Sequence, residues 1–375
     1  MSPSARLFRY LEATFCAGLL DDPVLLVRVR PLGRNLLFDC GQIHHLAKRV
    51  LKQTQAIFIS HAHMDHFMGI DTFVRNVLVS PRTFEVFGPP GLAVKLHHKL
   101  EGYDWNLAER FWCTLRVREV HAESIISWLL PGPQGFPLLR EGEQGREGAI
   151  VYRNDYMQVA AVLCDHKIPV LAYCCRERPV FSIDRKRLQH IGLAAGPWLE
   201  ELKRRFYNGF VDQSPLQLWR RVGGAIVPGT APDAARLYRT IFRSASTPSI
   251  GYVSDVGYSP ENLDRLTPLL NGVSVLVAEC AFLGEDVAKA RRSHHLCTHD
   301  LNRLLDRLRP AYFLPMHLSK TYNDRCQQLY QELELPPQVS LLQLPDHLLA
   351  RPLLPRDLPR LPHKLKSNTK AIHRV

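Results

Sequence analysis

Gln55-Ala56-Ile57-Phe58-Ile59-Ser60-His61-Ala62-His63-Met64-Asp65-His66 puts three imidazoles and one carboxylate into the six residues that follow an apolar run. The run has a β-branched and aromatic centre and suits a strand buried on both faces. Residues 67–74 then read as the start of a helix. The ligand-type side chains therefore sit on a loop between two rigid elements. Imidazole nitrogen and carboxylate oxygen are donors that zinc accepts, with manganese and iron as relatives. In extended backbone His61 and His63 point the same way. Asp65 and His66 come where the chain turns, and so address a second point nearby. This division predicts two metals rather than one. Two-metal sites hold their ions about 3.5–4 Å apart and serve hydrolysis.

One loop does not supply enough ligands for two metals. Three further candidates end apolar runs. His166 follows Val159-Ala160-Ala161-Val162-Leu163-Cys164 and Asp165, Asp255 follows Ile250-Gly251-Tyr252-Val253-Ser254, and His317 follows Tyr312-Phe313-Leu314-Pro315-Met316. Strand ends are where α/β proteins build their sites. Each candidate alone fits a capping or core role as well, but with the first loop they form a coherent set.

The run resembles the His-x-His-x-Asp-His signature of the metallo-β-lactamase superfamily, and within it the chain is most similar to ribonuclease Z, the tRNA 3′-processing endonuclease. Leu36-Leu37-Phe38-Asp39-Cys40-Gly41 looks like that family's strand and turn before the metal loop. Phe84-Glu85-Val86-Phe87-Gly88-Pro89-Pro90-Gly91-Leu92 looks like its strand with a Gly-Pro turn. Ala278-Glu279-Cys280 and, a little further on, His295 fall where the family has a strand-end glutamate and an acid–base histidine. His317-Leu318-Ser319-Lys320-Thr321-Tyr322 resembles its His-Phe-Ser-x-Arg-Tyr. Phe181-Ser182-Ile183-Asp184-Arg185-Lys186-Arg187-Leu188, Leu193-Ala194-Ala195-Gly196-Pro197-Trp198 and Leu202-Lys203-Arg204-Arg205 follow its order of Asp, basic helix, Gly-Pro and Leu-Lys. The chain departs from the pattern at Met64, at Gly69-Ile70-Asp71-Thr72 in place of Gly-Leu-Pro-Gly, at Thr321 for Arg and at Cys297 for Thr. No long glycine-rich arm of the kind that clamps tRNA stands out.

The resemblance implies a site. His61, His63 and His166 would hold one zinc, and Asp65, His66 and His317 a second, with Asp255 bridging; Mn2+ or Fe2+ are alternatives to zinc. Asp65 would also orient the attacking water. Glu279 and His295 would protonate the leaving 3′-oxygen, with His294 and His299 as competing neighbours of His295. Lys203, Arg204, Arg205 and Ser319 would touch substrate. Ribonuclease Z relatives are commonly dimers, so a homodimer is carried over as well.

Composition agrees with a polyanionic substrate. The chain has 375 residues, 46% of them hydrophobic, and 48 Lys and Arg against 36 Asp and Glu give a net charge of +12. Such an excess also occurs on proteins that never meet nucleic acid. The nine cysteines are odd in number and irregular in spacing, which argues against a disulfide scaffold and for a reducing cytoplasm. No run reaches the roughly 18 apolar residues of a membrane span, and no long apolar core follows Met1-Ser2-Pro3-Ser4-Ala5-Arg6.

The reading along the chain is a single α/β domain over residues 1–350, an αββα sandwich of the metallo-β-lactamase kind. It expects strands through 7–60 with a helix over 44–53, a surface loop over 131–147, strands over 150–180, and a basic, mostly helical insert over 184–245 serving as substrate arm or lid. Residues 351–375 carry four prolines and seven Lys or Arg against the single acid Asp357, and read as a mobile, disordered tail rather than as an RNA-holding element. The function expected is dinuclear zinc cleavage of 3′ trailers from precursor tRNA. The alternatives are a hydrolase of a small phosphodiester or other ester, and a non-catalytic RNA-binding protein; a full set of seven converging ligands speaks against the last.

Overall fold

The computed structural model of the chain describes residues 7–207, 213–243 and 247–348. The first six residues and the basic segment from Arg351 onward lie outside the described residues. The first sheet takes its strands in chain order: β1 Leu11–Phe15, β2 Leu25–Val29, β3 Arg34–Phe38, β4 Thr54–Phe58, β5 Thr83–Gly88, β6 Thr114–Val120, β7 Ser124–Pro131 and β8 Leu139–Gly145. Strands β3 to β6 run parallel and the outer ones antiparallel. The second sheet begins with β9 Ile150–Arg153, β10 Met157–Asp165 and β11 Pro169–Glu177. The chain then leaves for the insert, with β12 Leu193–Ala194, β13 Leu216–Val222 and β14 Ala225–Ala231, and returns for β15 Ser249–Val253, β16 Val275–Glu279, β17 Tyr312–Met316 and β18 Ser340–Leu341. The order of the second sheet is β18-β17-β16-β15-β11-β10-β9, with β15 to β18 parallel.

Period-2 alternation divides the side chains among layers. Phe38, Ala56 and Phe58 face the second sheet and pack with Tyr173, Tyr252, Val277 and Met316. Leu37, Ile57 and Ile59, one position away, face outward and pack with Phe73, Val74, Val77 and Leu96. Those partners lie on α3 Ile70–Val77 and α4 Leu92–Glu101, which follow α1 Lys48–Lys52 and α2 Met64–Phe67. Within the insert come α5 Arg185–His190, α6 Trp198–Tyr207 and α7 Ala234–Ile241. Beyond it, α8 Pro260–Leu270, α9 Val287–Ser293, α10 Thr298–Leu308 and α11 Gln327–Glu332 supply Leu266, Leu270, Ala290, Leu301, Leu305 and Leu329 to the core that covers the other sheet. Helix, sheet, sheet, helix is the expected αββα sandwich of the metallo-β-lactamase fold.

Four expectations need correction. The 44–53 helix shrinks to Lys48–Lys52. The helix expected from Phe67 starts at Met64 and breaks at Gly69, where a Cβ would lie 2.3 Å from the Gly41 carbonyl oxygen. The 131–147 loop is instead the end of β7 and an edge strand, β8. The side chains of β8 are all exposed and hold by Arg116–Glu141 and Arg140–Glu143 pairs, so no apolar alternation marked it. The insert is not mostly helical: α5, α6 and α7 surround the three-stranded sheet β12-β13-β14, whose hairpin turns at Gly223 and Gly224 with φ of +56° and +86°. The insert has its own small core of Leu188, Trp198, Leu202, Leu218, Ala234 and Ile241.

Candidate metal centre

Because β3 and β4 are parallel, and β15, β16 and β17 are parallel, their carboxyl ends open at one edge of the sandwich. There the backbone stops pairing and side chains can converge. The Asp255 carboxylate, after β15, is the centre of the convergence. Its Oδ2 lies 3.6 Å from His61 Nε2, 3.4 Å from His66 Nε2, 3.7 Å from His166 Nε2 and 4.0 Å from His295 Nδ1. Its Oδ1 lies 3.3 Å from His317 Nδ1. Asp65 Oδ2 lies 2.9 Å from His317 Nε2 and 3.6 Å from His66 Nε2. The His63 ring stacks edge-on with His61 and His166. Three donor groups overlap there: His61, His63, His166 and Asp255 on one side, Asp65, His66 and His317 on the other, and Asp255, Glu279, His295 and His317 alongside. All seven residues singled out in the sequence as ligands thus meet.

The ring tautomers follow from the neighbours. Asp39, after β3, accepts from the Ser60 N–H at 2.6 Å, the Ser60 hydroxyl at 2.8 Å and the Tyr252 hydroxyl at 2.8 Å. Its Oδ2 also lies 2.9 Å from His66 Nδ1, so that nitrogen carries the proton. The Ser60 hydroxyl donates its hydrogen bond to Asp39, so at 3.0 Å its oxygen accepts from His61 Nδ1. His166 Nδ1 lies 2.6 Å from the His294 carbonyl, which can only accept. His61 and His166 therefore turn a bare Nε2 toward the centre, while His66 points its Nε2 there between two carboxylates, Asp255 and Asp39, that outweigh burial and raise its pKa. Burial, with the His66 ring beside it, pushes His61 down to about 2, and burial pushes His166 down to about 4. Both stay neutral, as ligands must. Asp39 and His317 hold φ at +57° and +63°, a left-handed conformation that costs a residue with a side chain about 1–3 kcal/mol and collects at functional sites.

His61 Nε2, His66 Nε2, Asp255 Oδ1 and His317 Nδ1 are buried and have no hydrogen-bond partner among the described residues. Orphaned polar atoms of this kind are costly unless something binds them. Lone pairs of imidazole and carboxylate facing one another suit a divalent cation, so the residues present fit the metals that the sequence implied.

Beside the donors, Glu279 at the end of β16 accepts from the Val256 N–H at 2.6 Å, and its Oε2 lies 2.8 Å from His295 Nδ1. Burial opposes charge on His295, but Glu279 and then Asp255 outweigh it and lift the ring to about 9. His294 pairs instead with Asp165 at 2.8 Å, and the His299 ring lies against Gly284, so of the three neighbours His295 is the one that joins Glu279. A cleft of about 320 Å³ lies over this group, lined by Asp65, His295, His317, Ser319 and Lys320 among others.

Ser319 is thus at the cleft, its hydroxyl 2.9 Å from Thr321 Oγ1. Lys203, Arg204 and Arg205 are not. They lie on α6 of the insert and pair with Glu200 and Glu201 at 3.5, 2.6 and 2.9 Å. The departures from the family pattern spare the donors. Met64 is 78% exposed, Asp71 pairs with Lys99, and Cys297 serves as the N-cap of α10. Sequence reasoning assigned no role to Asp39, Ser60 or Tyr252. Asp39 stood at the end of an apolar run, like the ligands, which was the signal available.

Residues 34–132 match the beta-lactamase superfamily domain. Ribonuclease Z of Deinococcus radiodurans is 32% identical over 295 residues, 77% of this chain and 84% of that protein. The chain belongs to the ribonuclease Z family. Ribonuclease Z of Brevibacillus brevis is 24% identical over 310 residues, 80% of either chain. The solved structure of a long form RNase Z from yeast superposes with a TM-score of 0.50 at 12% identity, covering 92% of this chain and 42% of that one. Membership makes the chain a metal-dependent hydrolase, an endoribonuclease. Among the described residues no helix is long and apolar enough to cross a membrane.

Proposed function

We propose that this ribonuclease Z removes 3′ trailers from precursor tRNA, and that His61, His63 and His166 would hold one zinc ion and Asp65, His66 and His317 a second, with Asp255 as a further ligand. The observation behind the chemistry is the Asp255 carboxylate ringed by imidazoles with the Glu279–His295 pair alongside. When bound, the ions supply Lewis acidity and water of lowered pKa.

The chain's own residues do the rest. Asp65, next to the cleft, orients the attacking water, whose proton passes to solvent. Attack forms an O–P bond while the bond from phosphorus to the 3′-oxygen breaks. His295, protonated at neutral pH, gives its proton to that oxygen, and Glu279 holds the imidazolium in place. Asp39 fixes the ring of His66, and the His294 carbonyl fixes that of His166. Ser319 at the cleft rim offers a hydroxyl to a phosphate oxygen, and Lys203, Arg204 and Arg205 would meet more distant phosphates. The cytoplasmic location rests on nine free, buried cysteines, and the homodimer on the family resemblance.

The test is cleavage of a 3′-extended precursor tRNA by zinc-loaded protein, with His63→Ala as control. Cutting just after the discriminator base, lost in the variant, is the expected result. Zinc binding and hydrolysis of a small phosphodiester without any cutting of the tRNA would overturn the substrate reading.

A further inference from the structure

The cleft over the ligand edge is acidic for an enzyme that must admit an RNA strand. Asp21, Asp22 and Asp65 line it, and Lys320 is the only Lys or Arg among the described residues that do. His295 is the other cation there, but Glu279 holds its ring at 2.8 Å and its side chain is only 16% exposed. It faces the bond that breaks. The phosphate next to the scissile one carries a negative charge of its own, and a lysine meets such a group as a mobile point charge.

The fold fixes the root of Lys320 and leaves its tip free. His317 turns the chain out of β17 with φ at +63°. The Leu318 N–H then donates to the Leu19 carbonyl at 2.9 Å, and the Ser319 N–H to the Ala281 carbonyl at 3.0 Å. Leu19 belongs to the loop that carries Asp21 and Asp22, and Ala281 lies two residues past Glu279. The backbone that presents Lys320 is therefore tied to the wall of the cleft and to the strand of the acid pair. Beyond it, the Tyr322 hydroxyl donates to Asp286 and closes the short turn Lys320–Tyr322. The lysine side chain itself is 74% exposed. Its Nζ donates to Asp22 Oδ1 at 3.4 Å, and the Asp22 side chain is 20% exposed. That distance is long for a charge-assisted hydrogen bond, and exposed pairs contribute little to stability. A phosphate can replace Asp22 at small cost.

We propose that Lys320 seats the RNA phosphate adjacent to the scissile one, and that Asp22 holds the ammonium at the cleft until RNA displaces it. This rests on the chain being an RNA-cleaving enzyme. The contact is with phosphate and independent of base sequence, so it raises affinity and its salt dependence together. A diester with a single phosphate has no group for Lys320 to hold.

The experiment compares the full chain with Lys320→Gln, Lys320→Arg, Asp22→Asn and the double variant Asp22→Asn with Lys320→Gln. The substrates are a 3′-extended precursor tRNA and bis(p-nitrophenyl) phosphate. In Lys320→Gln, KM for the RNA should rise about five- to tenfold, with kcat and diester hydrolysis changed less than about twofold. The slope of log(kcat/KM) against log salt should become shallower by about 0.7, one single-strand phosphate contact. Lys320→Arg keeps the charge and should stay near the wild-type KM. Asp22→Asn frees the ammonium and should lower KM for the RNA about two- to fivefold at low salt, and by less when residue 320 is already Gln. An unchanged KM and slope in Lys320→Gln overturns the proposal. So does an equal loss on the small diester, or a loss with Arg as large as with Gln, since either would make Lys320 part of the cleft's structure. The same gain from Asp22→Asn in both backgrounds would overturn the holding role of Asp22. If the wild type cuts no precursor tRNA, the parent reading has failed. The inference is then decided by the Kd of the same RNA, which should be weaker for Lys320→Gln; equal values overturn it.

Discussion

At the ligand edge of the sandwich and on the 184–245 insert the same chemical types are held in opposite ways. His66 is buried and fixed by Asp39 on one side and Asp255 on the other, and His166 is aimed by a backbone carbonyl. On the insert, Arg204 is 70% exposed at its side chain and its partner is one helical turn away. At the first site moving any side chain breaks a contact elsewhere in the sandwich. At the second each pair is local and readily exchanged for water. Catalytic geometry belongs to the first kind of place, and adaptable contact with a long polyanion to the second.

The largest effects should therefore come from the ligand edge. Asp255→Ala removes the carboxylate shared by two of the donor groups. Activity should fall by more than about 10³-fold on precursor tRNA and small diester alike, with less bound metal by elemental analysis. Stripping the metals with a chelator should do the same and be reversed by zinc. A variant that keeps its metal and activity would break the contrast at its strongest point. His295→Ala should lower kcat by about 10²–10⁴-fold while bound metal stays near the wild-type level. The pH profile separates this role from a structural one. With its pKa raised to about 9, His295 keeps its proton through neutral pH and loses it as pH rises through about 9. The rate of the wild type should fall along that limb, and the limb should vanish in the variant.

Asp39→Asn is the next test, because it asks whether the edge is rigid for the reason given. The amide cannot accept from Ser60, Tyr252 and His66 at once, so His66 and His61 lose their enforced tautomers. Metal affinity should weaken by about 10–100-fold, read by competition with a chromogenic chelator, with a smaller loss of activity at saturating zinc. Asp39 also marks how far the sequence could be read. The ligands were legible because they are crowded into His61-Ala62-His63-Met64-Asp65-His66 or terminate apolar runs, and the layers because parallel strands are apolar throughout. Asp39 ends such a run too, but its work lies in contacts with residues up to 213 positions away, which spacing does not reveal. The insert was misread for a different reason. Its small sheet is exposed on one face, and only Leu216 and Leu218 of β13 are buried, alternating with Gln217 and Trp219, an alternation too short to mark a strand before Arg220-Arg221-Val222 turn exposed. The Gly223-Gly224 turn between Trp-Arg-Arg-Val and Ala-Ile-Val was the available hairpin signal.

The smallest effect expected is on the insert, and it sharpens the comparison most. Lys203→Glu with Arg204→Glu places two acids beside Glu200 and Glu201. Exposed pairs of this kind contribute little to stability and are screened by salt, so thermal unfolding should shift by no more than a few degrees. If α6 faces RNA, the four neighbouring carboxylates repel phosphate, and KM for precursor tRNA should rise about two- to fivefold at low salt and less at high salt. Hydrolysis of the small diester should not change, because it needs only the ligand edge and the Glu279–His295 pair. An equal loss on both substrates would show that the insert acts through the cleft rather than on distant phosphates. No change on either would mean that the pairs with Glu200 and Glu201 are the whole role of these residues.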